Sequence, residues 1–141
     1  MFIDTNVLVY GSAPGAPNRE KARAALAAYG ASGERLCISR QVLREFVAVI
    51  TRPQIWAQAK SPPEAALAAL TLASDFEILE DGATVCEELL DLCRRYSFGG
   101  RQVHDANIVA TMLAHQERRL LTFNDADFRR FAELIEIVVP G

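Results

Sequence analysis

The chain reads as an α/β protein: a parallel sheet with helices on both faces. Three observations predict this. Short apolar runs alternate with helical periodicity from end to end, the pattern of a parallel sheet joined by crossover helices. Hydrophobic residues make up 50% of the 141 positions, which excludes disorder and suffices for a substantial core. No repeat, low-complexity tract or linker interrupts the alternation, so residues 1–141 are expected to form one domain.

The elements follow in order. Phe2 to Asp4 is a short buried strand, and Asn6 to Tyr10 is either its continuation or a helical turn. Ser12 to Pro17 is a loop rich in Gly and Pro. Asn18 caps a helix with Ala22, Ala25, Leu26 and Tyr29 at helical spacing, stopped by Gly30 to Gly33. Arg35 to Ile38 is a strand. Ser39 caps the next helix, with Val42, Leu43, Phe46, Val47 and Ile50 on one face, and Arg52-Pro53 ends or bends it. Ser61-Pro62-Pro63-Glu64 has the form of a capping box with proline at the first helical position, before Ala66, Leu67, Leu70 and Ala73. Phe76 to Leu79 is a strand. Val85, Leu89, Leu92 and Tyr96 mark a helix stopped by Gly99-Gly100. Gln102 to about Gln116 is helical, Arg119 to Thr122 a strand, Asp125 to Leu134 a short helix, and Ile135 to Val139 a last strand.

Composition narrows the function classes. A net charge of −3 argues against a protein that coats nucleic acid nonspecifically. It leaves room for a nuclease, whose acidic site is offset by bound cations. Cys37, Cys86 and Cys93 lack metal-ligand spacing and are expected to be buried, reduced thiols, the last two sharing the apolar face of one helix. No secretory signal pattern opens the sequence and no apolar run is long enough to span a bilayer, so a cytoplasmic location away from membranes is expected.

The acids carry the chemical signal. Asp4 ends the first strand, on the sheet edge where open parallel sheets bind ligands; taken alone, it is as readily a capping carboxylate. Glu45 stands at the edge of an apolar stripe, before Phe46, and alone reads as solvated. Asp105 lies in the first turn of a helix made apolar by Val103, Ala106, Ile108, Val109 and Met112, so its carboxylate is expected to be partly buried. Thr122, Asn124 and Asp127 follow the strand ending in Leu120-Leu121, while Asp125 is placed to cap the helix after it. His104 is assigned a structural or solvent role, and Glu80-Asp81 a solvated turn. Carboxylates that meet at one sheet edge repel unless a cation binds. Mg²⁺ and Mn²⁺ take oxygen ligands, acidify bound water and stabilise charge on a phosphate undergoing displacement.

Four blocks in order carry a family resemblance: Phe2-Ile3-Asp4-Thr5-Asn6-Val7-Leu8; Ser39 with Glu45; His104-Asp105-Ala106-Asn107; and Thr122-Phe123-Asn124-Asp125-Ala126-Asp127-Phe128. Along its whole length the chain resembles a PIN domain, and most of all the VapC-type toxins of bacterial type II toxin–antitoxin pairs. The resemblance implies a three-layer α/β/α sandwich with strand order 3-2-1-4-5, in which Asp4 and the Asn124 segment meet. It implies a Mg²⁺- or Mn²⁺-dependent endoribonuclease that cuts phosphodiester bonds by attack of activated water. By motif position Asp4, Glu45 and Asp105 carry over as metal-site acids, with Asp4 and Asp105 as direct ligands and Glu45 binding a second ion or orienting the water. Thr5, Asn6 and Thr122 would hold these carboxylates by hydrogen bonds. The family commonly has its fourth acid two residues after the threonine, where this chain has Asn124; Asp127 or Asp125 is left to compensate.

Arg40, Arg44, Arg52 and Arg101 are the candidate phosphate contacts, each otherwise an ordinary solvated arginine. The resemblance also implies a homodimer and a cognate antitoxin partner, with Trp56 as an interface anchor or as plain core. Two rivals remain: a PIN-like module that binds RNA or protein without catalysis, motivated by Asn124, and a phosphohydrolase with Asp4 as nucleophile, disfavoured because Asn6 stands where a second acid is wanted.

Overall fold

The computed structural model describes residues 1–141. Its five strands are β1 (Phe2–Ile3), β2 (Cys37–Ser39), β3 (Glu77–Leu79), β4 (Arg119–Leu121) and β5 (Glu136–Val138). All pair in parallel, in the order 3-2-1-4-5. The helices are α1 (Thr5–Ser12), α2 (Arg19–Ala31), α3 (Arg40–Ile50), α4 (Pro62–Asp75), α5 (Ala83–Arg95), α6 (Gln102–Ala114) and α7 (Asp125–Phe128), the last followed by a 3-10 turn at Arg129–Phe131. This is the α/β/α architecture expected.

The central strands explain the order. Phe2, Ile3, Leu120 and Leu121 are all fully buried, which requires cover on both faces of the sheet. Register Phe2↔Leu120 and Ile3↔Leu121 brings the ends of β1 and β4 side by side. The chain reverses direction across the sheet between these strands, the place where open sheets leave a crevice. The Met1 ammonium donates to the Arg35 carbonyl at 2.6 Å and to Glu117 at 2.9 Å, pinning the start of β1.

Helices α1 and α3 pack against each other, as do α5 and α6. The α3 stripe works as its spacing demands: Val42 and Phe46 are buried, and Ser39 caps the helix by accepting from Val42 N. The capping box that starts α4 is complete, with Ser61 Oγ accepting from Glu64 N and Glu64 Oε2 accepting from Ser61 N at 2.8 Å.

Of the two alternatives for Asn6 to Tyr10 the helical one is found, within α1, whose N-cap is Asp4. Other expectations are corrected. Helix α5 ends at Arg95, before the glycine pair at 99–100. The segment after β4 is helical only to Phe128, then tightens into a 3-10 turn. Cys37 is buried but Cys86 and Cys93 are exposed. Their spacing does put them on one face; however, each follows a stripe residue, Val85 or Leu92, and about 100° of rotation carries it out of the core. No helix is long and apolar enough to cross a membrane.

Candidate active site

The acids are positioned by element ends. Asp4 follows β1 and is the N-cap of α1, so its main chain is fixed on both sides: its N–H donates to Leu121 O at 3.0 Å and its carbonyl accepts from Val7 N at 3.1 Å, while its side-chain Oδ1 accepts from Thr5 N at 2.7 Å. Its Oδ2 accepts from Thr122 Oγ1 at 2.6 Å and from Asn6 Nδ2 at 2.8 Å. Asn6 in turn accepts from Phe123 N, and Thr122 Oγ1 accepts from Asn124 N. The expected partners Thr5, Asn6 and Thr122 therefore tie the β1 and β4 ends together around one carboxylate, itself only 6% exposed.

Glu45 reaches the same place from α3. Its Oε2 accepts from Thr5 Oγ1 at 3.0 Å and its Oε1 from Gln41 Nε2 at 2.8 Å. Gln41 was not anticipated from sequence. It is buried one helical turn before Glu45, also donates to His104 O at 2.9 Å, and accepts from Asn107 Nδ2 at 2.7 Å. It thus couples α3 to the start of α6, where Asp105 lies. The signal available was its i, i+4 spacing to Glu45 on the helix.

Asp4, Glu45, Asp105, Asn124 and Asp127 all line one cavity of about 700 Å³, with Thr5 and Asn6. Asp125 does not; it is held by Arg129 at 2.6 Å. Of the candidate arginines, Arg52 and Arg101 line the cavity. Arg40 instead makes a two-pronged pair with Glu80, and Arg44 is exposed outside it. Tyr10, Gln54, Trp56, Gln102 and His104 also line it, none singled out as site residues by motif.

Electrostatics separates these acids from ordinary surface carboxylates. Burial pushes Asp4 up to about 6, aided by Glu45 and Asp105, against the hydrogen bonds from Thr122 and Thr5. Burial likewise raises Asp105 to about 6, reinforced by the Asp127 and Glu45 charges, with His104 and Arg130 opposing. Each carboxylate thus feels its neighbours as unbalanced negative charge.

In the side-chain positions observed, no three carboxylate, imidazole or thiol groups converge to hold a metal ion. The chemistry of the donors nevertheless fits a hard divalent cation. The acids facing the cavity offer only oxygen, Asp4 and Asp105 are destabilised as anions chiefly by burial and further by neighbouring carboxylates, and a positive charge among them offsets that penalty.

The profile of the PIN domain family matches residues 1–134. A comparison with curated proteins finds no match. Among solved structures, VapBC2 of Rickettsia felis, bound to a DNA fragment from its promoter, is similar at 20% identity and TM-score 0.70, over 98% of this chain and 96% of that one. DNA-bound VapBC of Salmonella typhimurium is similar at 18% identity and TM-score 0.71, over 99% and 97%. VapC20 of Mycobacterium tuberculosis, a sarcin-ricin loop cleaving toxin, is similar at 19% identity and TM-score 0.69, over 96% of each chain. At such identities the likeness is one of fold.

Proposed function

The chain belongs to the PIN domain family, and from that premise we propose that it is a Mg²⁺- or Mn²⁺-dependent endoribonuclease, the toxin of a type II toxin–antitoxin pair. The observation that carries the reading is the gathering of Asp4, Glu45, Asp105 and Asp127 from four separate segments onto one cavity, with two of them held at about 6. The toxin assignment draws on the VapBC complexes and the VapC20 toxin that share the fold.

Asp4 and Asp105 are the direct ligands in this reading, and Asp127 supplies the charge that Asn124 lacks. The ion, when bound, acidifies water and neutralises charge building on the scissile phosphate. Asp4 is kept in one orientation by Thr5, Asn6 and Thr122, so it is preorganised for that role. Glu45, fixed between Gln41 and Thr5, orients the attacking water. Arg52 and Arg101, which line the cavity, contact the RNA phosphates in this reading. The protein acts in the cytoplasm as a homodimer, silenced by a cognate antitoxin.

The test is cleavage of RNA by the purified protein with Mg²⁺ or Mn²⁺, alongside Asp4→Asn and Asp105→Asn. Both variants are expected to lose cleavage and growth arrest while keeping their fold. Undiminished cleavage by either sinks the site assignment.

A second reading, a binding module without catalysis, is favoured by Asn124 at the usual acid position and by the absence of three convergent ligands. Metal-independent RNA binding with no cleavage under any divalent cation selects it.

A further inference from the structure

We propose that Tyr10 and Trp56 form a nucleobase subsite, so that the cavity takes an unpaired stretch of RNA with a base seated on these rings. The inference rests on the ribonuclease reading and adds to it the two side chains on which a base of the bound RNA is seated.

The cavity has two chemically different parts on the same helices. Tyr10 lies six residues beyond Asp4, about 9 Å along α1 at 1.5 Å per residue. Val49 lies one turn beyond Glu45 on α3, and Arg52 just past the helix end. Since α1 and α3 pack together, acids line one stretch of the cavity and Val9, Tyr10, Val49 and Trp56 another. That spacing is of the order of the reach from a backbone phosphate to its base.

The rings are built in place. Tyr10 meets Trp56 edge to face at 6.0 Å, and Phe123 stands 5.4 Å from Tyr10 on its own account. Phe123 directly follows Thr122, the residue that holds Asp4, so the aromatic wall and the acids share one support. Trp56 sits in a turn closed by Gln54 N donating to Ala57 O at 2.8 Å. The loop before α2 presses on that turn so closely that a Cβ on Gly15 would lie 2.5 Å from the Trp56 carbonyl oxygen. Yet Tyr10 and Trp56 stay only half-buried and border the cavity.

Charge points to the occupant. Arg52 and Arg101 border the same cavity and belong to none of the protein's ion pairs. Free guanidinium groups beside half-open aromatic rings are the combination that takes a phosphate backbone and stacks its bases. A base reaches such rings only when unstacked from its neighbours, which duplex RNA does not allow.

Trp56 is the only tryptophan, so its fluorescence reports on the subsite directly. The full chain carrying Asp105→Asn, with Mg²⁺ present, is titrated with a short single-stranded oligoribonucleotide and with the duplex of the same sequence. Trp56 emission is expected to be quenched by the single strand and not by the duplex. Trp56→Leu should weaken single-strand affinity about 5- to 150-fold, and Trp56→Phe, which keeps a ring, by less. Circular dichroism checks that both variants fold, and the emission reading needs neither. Wild-type cleavage of the same RNA is measured in parallel. Cleavage with unchanged Trp56 emission, or with equal binding by folded Trp56→Leu, overturns the subsite and leaves the ribonuclease reading standing. Neither binding nor cleavage overturns both. An emission change produced only by a protein partner overturns the subsite in favour of a protein interface.

Discussion

Replacing Asp105 with Asn should stabilise the metal-free protein while abolishing its cleavage activity. The reason is the charge around it. Asp105 is raised from 3.8 to about 6 by burial and by Asp127 and Glu45, and no hydrogen-bond donor offsets these effects. A shift of about 2 units corresponds to about 3 kcal/mol. Because Asp105 is half-exposed, solvent screens part of this, and about 1–2 kcal/mol is the working figure. For a chain of this size that is roughly 3–7 °C in melting temperature.

The pH dependence fixes the sign. Below about pH 3 the carboxyl is protonated in both states and costs nothing. Between about pH 3 and 6 the unfolded carboxyl ionises first, so the folded state binds more protons and stability falls as pH rises. Above about pH 7 the loss is complete. Urea or thermal unfolding of wild type and Asp105→Asn in EDTA, from about pH 3 to 8, should show curves that coincide at the acid end and part above it. A variant equal to or less stable than wild type at pH 8 refutes the claim that burial and its acidic neighbours destabilise the ionised Asp105.

Further outcomes follow from single side chains. Gln41→Ala should cost about 1–2 kcal/mol by removing the part-buried hydrogen bonds to His104 O and from Asn107 Nδ2, and should lower the cleavage rate about 10- to 100-fold by releasing Glu45, measured by unfolding and by kcat. Gly15→Ala should cost about 1–3 kcal/mol, because the added carbon meets the Trp56 carbonyl, and should shift Trp56 emission. Ser61→Ala should cost about 1 kcal/mol through loss of the α4 capping box, with cleavage unchanged.

Much of this was legible in the sequence because it is local. The Ser61–Glu64 box, the α3 stripe and the alternation of strands and helices are set by neighbouring residues, and each was realised. Asp4 was placed at a strand end by sequence alone, though the choice between strand and helix for the following residues turned on its cap to Thr5 N. What escaped depends on distant segments. Gln41 matters because of His104 and Asn107, more than sixty residues away. Trp56 lies in a turn without periodicity, and only the packing of Gly15 and Tyr10 against it shows its place on the cavity wall. Asp127 is distinguished from Asp125 by the Arg129 pairing, which sequence leaves open. The cysteines failed for a geometric reason: equal spacing shows that two residues share a face, not which face it is.

The central claim is that the acids form one site for a divalent cation. Calorimetric titration of the wild-type protein with Mn²⁺ at pH 6, repeated in buffers of different ionisation enthalpy, tests it most directly. Asp4 and Asp105 are each raised to about 6. Binding should therefore release about half a proton from each, roughly one in total, as the ion drives both to the charged form. Heats of binding that change with buffer by that amount bear the claim out; no binding, or binding without proton release, contradicts it.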